Sequence, residues 1–243
     1  MRNILFGGKM GDFIHGLILP KYLYDTTGEK FNIYIANSKW EVFASGLDVS
    51  YKELYPIVIN QPYVNDFKIH NGEPIDIDTI DFREFDNLFT TSWNEFYIHN
   101  YVNPNIYIPF NYTWLDIKKD DTFKDLLLIN RNYKPFSTHD AESHYLNFIK
   151  AYKGKAYFVC SYIDQYTSSP FKDVIPMLYL PCLEDMITAI ASCKHFLSNL
   201  TATAAIATAV NTRRTVEMHD PNLKLKYIYE MRNCDTLSCF GEL

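Results

Sequence analysis

The residues best placed by type and spacing to do chemistry lie in one run, Leu183 to Val210. It reads as a short amphipathic helix, a buried strand at His195–Ser198, and a second helix opened by Asn199, Leu200 and Thr201. From about Thr203 that helix is built of small residues, Ala204, Ala205, Ala207, Thr208 and Ala209. Small side chains let a helix lie close to a sheet and let a ligand approach its first backbone N–H groups. The hydroxyls of Thr201 and Thr203 can cap those amides or share them with a phosphate. A strand running into such a helix start is a common way to hold an anion. The same residues equally suit a tightly packed βα unit with an ordinary Thr cap.

The elements that must position this run alternate along the whole chain. Asn3–Phe6 is a short apolar strand ended by Gly7-Gly8-Lys9-Met10-Gly11-Asp12. Phe13, Ile14, Leu17, Ile18 and Leu23 then recur at helical spacing through Tyr24. Asn32–Ile35 reads as a second strand, Ile57–Ile59 as a third and Asp86–Thr90 as a further one, before an aromatic stretch from Trp93 to Tyr101. Asn103-Pro104, Pro109 and Asn111 mark turns. Lys118-Lys119-Asp120-Asp121 is the best linker candidate, and a solvated helix end accounts for it as well.

The rhythm then restarts. Leu126–Asn130 is an apolar strand and Asp140 to Tyr152 a helix, followed by strands Ala156–Cys160 and Met177–Leu180 and the helix–strand–helix above, with Thr215–Met218 as the closing strand. Alternation of this kind predicts parallel sheets, and two such runs predict an α/β chain of two Rossmann-like domains facing a cleft, residues 1–118 and 119–243. Ligands of such sheets sit beyond the carboxyl ends of the strands. Asp12, Arg131, Ser161 and Asn199 all fall near such ends, and that convergence carries more weight than any one motif.

Composition narrows the classes. The 243 residues can bury one large core or two small ones, and 47% hydrophobic with 21% charged residues is the balance of a folded chain. No apolar run approaches the ~18 residues of a membrane span, and the apolar run at the N-terminus is too short for a signal peptide. Five cysteines with no CxxC pair suggest reduced thiols in a cytoplasmic setting, and Cys234 and Cys239 lack the spacing and a nearby His for a metal site. The net charge of −6 argues against a grip on nucleic acid. Richness in Asn, Ile, Tyr, Phe and Lys fits an AT-rich genome, bacterial or viral; a viral origin would place the protein in the host cytoplasm.

Certain stretches carry a resemblance. Gly11-Asp-Phe-Ile-His-Gly-Leu17, directly after the first strand, resembles the Gly-Asp-x-hydrophobic-His opening of the heptosyltransferase-like glycosyltransferases of family 9. Leu180 to Val210 resembles that family's donor-binding segment, and Thr215-Val-Glu-Met-His-Asp-Pro221 is similar to the strand and Asp-Pro turn that follow it. The resemblance is good at the two ends and rests on secondary-structure rhythm in the middle. Where the family reads Asp-Ser/Thr-Gly with a His three residues on, this chain has Leu200-Thr201-Ala202 and Ala205. The acidic residue and flexible Gly are absent, so the implied donor pocket is altered and ADP-heptose does not follow as the donor.

The resemblance implies a compact GT-B enzyme: an inverting glycosyltransferase that takes a nucleotide-diphospho-sugar to a glycan or lipid-linked acceptor, with neither bound metal nor cofactor. The first domain would hold the acceptor and the second the donor. Asp12 would be the base for the acceptor hydroxyl, though an Asp there also suits a helix cap. Arg131 and Lys134 would meet the diphosphate, Lys134 resembling the family's donor-side Lys; both also suit solvated loop charges. Thr201 and Thr203 would add donors at the helix start, with Ser161 and Asn199 beside them; Asn199 also suits simply closing its strand. His15, three residues after Asp12 on the same helix face, would contact the acceptor or orient Asp12, or be a partly buried helix His bonded to backbone. Lys9 would meet an anionic acceptor or be an exposed loop Lys. Trp93, Phe96, Tyr97 and Tyr101 could stack on sugar rings, although at 16% aromatic content core packing is the default. Two rival readings are a nucleotide-binding protein that has kept the fold without catalysis and a nucleic-acid-modifying glycosyltransferase.

Overall fold

A computed structural model of the chain describes residues 1–89, 91–109, 111–132, 139–218 and 234–238. Two compact units divide it, Met1–Asp116 and Ile117–Leu243.

The first unit runs β1 (Arg2–Phe6), α1 (Met10–Gly16), α2 (Ile18–Thr27), β2 (Phe31–Ile35), α3 (Leu47–Val58), β3 (Val64–Ile69), β4 (Ile77–Asp78), two short 3-10 turns at Phe82–Glu84 and Asp86–Phe89, and α4 (Trp93–Tyr101). Its strands pair in parallel in the order β3-β2-β1-β4, with Ile4 opposite both Ile33 and Ile77. β1 is apolar over Ile4–Phe6 and β2 at every residue but Asn32, as a parallel sheet covered on both faces requires. Ile4, Phe6, Phe31, Ile33, Ile35 and Phe67 are all buried, and the helices add Phe13, Ile14, Leu54, Phe96 and Tyr97. The end of the unit is pinned by Trp114, whose indole N–H donates to the Ile14 carbonyl and whose own carbonyl accepts from Tyr63, both at 2.7 Å.

Three expectations are corrected in this unit. The single helix expected through Tyr24 is split at Leu17, because Pro20 has no N–H for the Gly16 carbonyl one turn back. Ile57–Ile59 is no strand: Leu54, Ile57 and Val58 form the inner face of α3, and a three-residue apolar run fits either period. The strand expected at Asp86–Thr90 is a 3-10 turn over Asp86–Phe89, with Thr90 outside the described residues.

In the second unit a 3-10 turn at Asp121–Phe123 leads into β5 (Leu127–Asn130), α5 (His139–Ala151), β6 (Ala156–Cys160), α6 (Ile163–Thr167), β7 (Met177–Tyr179), α7 (Leu183–Ser192), β8 (His195–Asn199), α8 (Ala202–Ala209), β9 (Arg214–Met218) and β10 (Cys234–Ser238). The parallel sheet has the order β7-β6-β5-β8-β9-β10. Counted within the unit this is 3-2-1-4-5-6, the doubly wound order, in which chain progression reverses between the first and fourth strands. Here the reversal falls between β5 and β8. Thr215–Met218, read from the sequence as the closing strand, is followed by β10 on the sheet edge. The small residues of α8 are explained by its burial, since Ala204, Ala205, Ile206, Ala207, Thr208 and Ala209 are all covered. Among the described residues no helix is long and apolar enough to cross a membrane.

Candidate functional site

In the first unit the reversal falls between β1 and β4, and polar groups collect at the carboxyl ends of both strands. β1 leads into Gly7 and Gly8. A Cβ at Gly7 would lie 2.6 Å from Ile80 Cγ1, and Gly8 holds φ at +95°, so both positions favour glycine. The tight turn sets Lys9 as the residue before α1 and Asp12 in its first turn. One Asp12 carboxylate oxygen, Oδ2, accepts the Lys9 backbone N–H at 3.2 Å and an Arg83 guanidinium N–H at 2.7 Å. Its backbone carbonyl accepts from the Tyr97 hydroxyl. Asp12 therefore lies within the first helical turn and caps it, where a loop position was expected, and it is also ion-paired.

Arg83 reaches this place because Thr79 donates through both its N–H and its hydroxyl to the Leu5 carbonyl, tying the chain after β4 to β1. A second carboxylate, Glu41 on the loop after β2, stands 3.6 Å from Arg83 and 2.8 Å from the Lys9 ammonium. The result is an alternating charge row, Lys9–Glu41–Arg83–Asp12. Lys9 keeps most of its side chain in solvent. Of the two readings of His15, its burial fits the helix His turned inward: it is stacked on the Trp93 ring at 4.7 Å and 3° from parallel. Asp12 is itself largely covered, its carboxylate meeting Arg83 at the row, while His15 turns toward the aromatic core. Trp93, Phe96 and Tyr97 are likewise buried and pack on one another and on Phe82, which leaves Tyr101 as the partly open member of that group.

In the second unit the ends of β5 and β8 carry a network of amides and hydroxyls. Asn130 donates to the Val159 carbonyl on β6 and accepts from the Thr203 hydroxyl at 2.9 Å. Thr203 shares a 2.7 Å hydrogen bond with Thr201. Asn199 grips the backbone of Asn132 at both ends, accepting its N–H at 3.2 Å and donating to its carbonyl at 2.6 Å. The Asn132 side chain accepts in turn from Gln165 on α6. The sequence thus locates Asn199, Thr201 and Thr203 at one place, but the hydroxyls make no side-chain cap to α8. They bond to each other and across to β5 instead. Ser161 sits half-buried directly after β6, on the neighbouring strand end.

Arg131 is corrected. Expected as an open cation, its guanidinium is almost fully buried and donates through Nε and Nη2 to the two oxygens of Glu217 at 2.7 and 2.9 Å. Tyr145 donates to the same carboxylate, and Glu142 lies 3.4 Å from Nη1. Burial alone would disfavour its charge, but the hydrogen bonds and charge of Glu217 outweigh that and hold it firmly protonated. Lys134 lies outside the described residues.

Sequence reasoning missed Arg83, Glu217, Asn130, Asn132 and Gln165. Glu217 offered a signal, the one carboxylate of its strand, set between Val216 and Met218, which must be paired if buried. Asn130 and Asn132 flank Arg131 and were legible as polar residues at a strand end. Arg83 offered none, since it is brought in by a two-residue strand. Among the described residues no group of three or more His, Cys, Asp or Glu side chains is arranged to hold a metal ion.

No family model and no curated protein matches the sequence. Solved structures do match the fold. A glycosyl transferase family 9 protein from Veillonella parvula aligns over 97% of this chain and 85% of its own, with TM-score 0.61 and 11% identity. The E. coli ADP-heptose lipopolysaccharide heptosyltransferase II aligns over 100% and 92%, with TM-score 0.57 and 12% identity. The chain has the GT-B fold. The E. coli heptosyltransferase WaaC, solved with ADP-2-deoxy-2-fluoro heptose, is a third GT-B structure similar to it, aligned over 98% and 94% with TM-score 0.53 and 12% identity. The shared GT-B architecture accounts for the two parallel sheets and their reversals, while the residues at the strand ends are this chain's own.

Proposed function

We propose that this chain is an inverting, metal-independent glycosyltransferase that moves a sugar from a nucleotide-diphospho-sugar to a glycan or lipid-linked acceptor. The observation that carries the reading is the polar network at the β5/β8 reversal, where doubly wound sheets take nucleotides. A heptosyltransferase of the same fold has been solved with an ADP-sugar, which supports a nucleotide sugar as the ligand class here. The donor is not fixed as ADP-heptose, because Leu200-Thr201-Ala202 and Ala205 replace the family's acidic residue, Gly and His.

The second unit takes the donor side. The first amides of α8 supply hydrogen bonds to the diphosphate as its charge grows in the transition state, and the Thr201 and Thr203 hydroxyls join them by turning their protons away from each other and from Asn130. Asn199 shapes the loop it holds, Ser161 borders it, and Lys134 supplies the positive charge. Arg131 backs the site from beneath through Glu217 and does not touch the phosphates. The first unit takes the acceptor side, with Lys9 at its edge. An acceptor oxygen attacks the anomeric carbon from the face opposite the phosphate. The C–O bond to phosphate breaks and its electron pair leaves with the nucleoside diphosphate. The acceptor's proton passes to Asp12, whose carboxylate is oriented by Arg83 and the Lys9 N–H.

Thermal shift against a panel of nucleotide sugars identifies the donor, and turnover of Asp12→Asn then tests the base. The amide keeps the size and can still accept the capping hydrogen bond, but it cannot take the proton. Turnover is expected to fall by roughly 100-fold or more with donor affinity nearly unchanged. Transfer at the parent rate by a folded variant leaves Asp12 as a cap. Binding of a nucleotide sugar without transfer to any acceptor tried favours a binding protein of the same fold.

A further inference from the structure

A cavity of about 260 Å³ opens in the first unit beside the charge row, lined by Asp78, Ile80, Asp81, Glu84, Phe85 and Tyr101. Two of its walls are aromatic, Phe85 and Tyr101 meeting edge to face at 5.4 Å. Burial, then the carboxylates of Asp78 and Asp81, push the Tyr101 phenol up, so its hydroxyl remains a donor at any physiological pH. Lys39 closes the rim, 2.5 Å from Glu84 and 3.6 Å from Asp81. The same ammonium sits 5.3 Å from the centroid of the Trp40 ring.

Trp40 is the independent observation. Its side chain is 53% exposed, whereas Trp93 and Trp114 are buried. It is not there through slackness of the chain. The Ser38 hydroxyl accepts the N–H groups of both Trp40 and Glu41, the Ser38 N–H donates to the Glu41 carbonyl, and the Glu41 side chain is held by Lys9. An exposed indole on a braced turn, joined through the Lys39 ammonium to Asp81 and Glu84 of a cavity with aromatic walls, is a surface for a ring with one apolar face and many hydroxyls. The cavity lies below the usual size for drug-like ligands, which fits one ring rather than an extended chain.

We propose that this cavity and the Trp40 indole together form a subsite for a single uncharged sugar ring of the acceptor. The ring stacks on Trp40 and its hydroxyls donate to Asp81 and Glu84. Three carboxylates against one ammonium repel a sugar bearing a phosphate or a carboxylate, so the subsite selects against anionic acceptors. This deepens the reading of the first unit as the acceptor side and rests on it.

The test is ligand-detected NMR on the full chain without any nucleotide, using methyl glucoside, methyl galactoside and methyl mannoside, with glucuronate and glucose 6-phosphate as the anionic counterparts. At least one neutral glycoside is expected to bind saturably, with both anionic sugars weaker by roughly 10-fold or more. Trp40→Ala is expected to weaken the neutral ligand by roughly 5-fold and Glu84→Gln by roughly 10-fold. Both side chains are exposed, so the variants keep the fold. Absence of binding by all three glycosides, equal binding of the anionic sugars, or unchanged affinity in both variants overturns the subsite. Because no donor is present, the result stands apart from the donor reading: sugar binding with no response to any nucleotide sugar would sink the transferase and leave the subsite.

Discussion

The two units share a winding order and differ in what they place at its reversal. In the first, formal charges gather at the ends of β1 and β4 and on the loop after β2, with Lys9, Glu41 and Arg83 partly in solvent and Asp12 mostly covered at the inner end. In the second, the ends of β5 and β8 carry neutral amides and hydroxyls, and the ion pair Arg131–Glu217 is sunk beneath them. The difference fits the division of labour proposed above. A base must be reachable, and here the mostly covered Asp12 carboxylate is joined to solvent through a partly exposed row of charges. A diphosphate brings its own charge, so the surface that meets it can be built from neutral donors and kept rigid by a buried pair. Topology sets the place, and the depth of the charges sets what the place can do.

The largest expected effect tests that depth. Glu217→Gln keeps the shape but leaves Arg131 as a buried, largely uncompensated charge, which should cost about 3–5 kcal/mol. Hydrogen exchange should show the amides of β5, β8 and β9 losing protection while β1 and β2 keep theirs. Equal loss in both sheets would mean that the pair is not confined to the second unit's stability.

A smaller effect is expected from Asn199→Ala, which removes both hydrogen bonds to the Asn132 backbone. A loss of about 1–3 kcal/mol follows from two such bonds, with weaker donor binding as the loop loosens. Calorimetry with the donor chosen by thermal shift measures the second part, and unchanged affinity would show the network to be scaffolding only. The smallest effect on stability belongs to Arg83→Gln. Its ion pair is partly exposed and should be worth about 0–1 kcal/mol in chemical denaturation, yet turnover should fall several-fold because Asp12 loses its orienting contact. A variant that loses much stability and no turnover would reverse the contrast between the units.

How much of this was legible in the chain depends on how local each feature is. β5, β6, β8 and the helices around them are apolar runs of ordinary length, and their periodicity shows them directly. β4 has two residues and exists because it pairs with β1, more than seventy positions back, so no local pattern marks it. With it went Arg83, whose place depends on that pairing. Ile57–Ile59 misled because three apolar residues satisfy both a strand and the inner face of a helix. At the site, the position of Arg131 after a strand was readable, but its burial was not, since its partner Glu217 lies on a strand 86 residues away. Thr201 and Thr203 were legible as the start of a helix, whereas their bonds to each other and to Asn130 required knowing that β5 and β8 are neighbours.

The central claim is that the β5/β8 reversal holds the diphosphate and the first unit does not. Calorimetric titration of ADP, UDP and GDP into the parent chain, Thr203→Val and Asp12→Asn tests it most directly. The account predicts that at least one nucleotide binds the parent, that Thr203→Val weakens it by roughly 10-fold through loss of the hydroxyl at the helix start, and that Asp12→Asn leaves it unchanged. Binding that survives Thr203→Val and is lost in Asp12→Asn would place the nucleotide on the other unit and contradict the account.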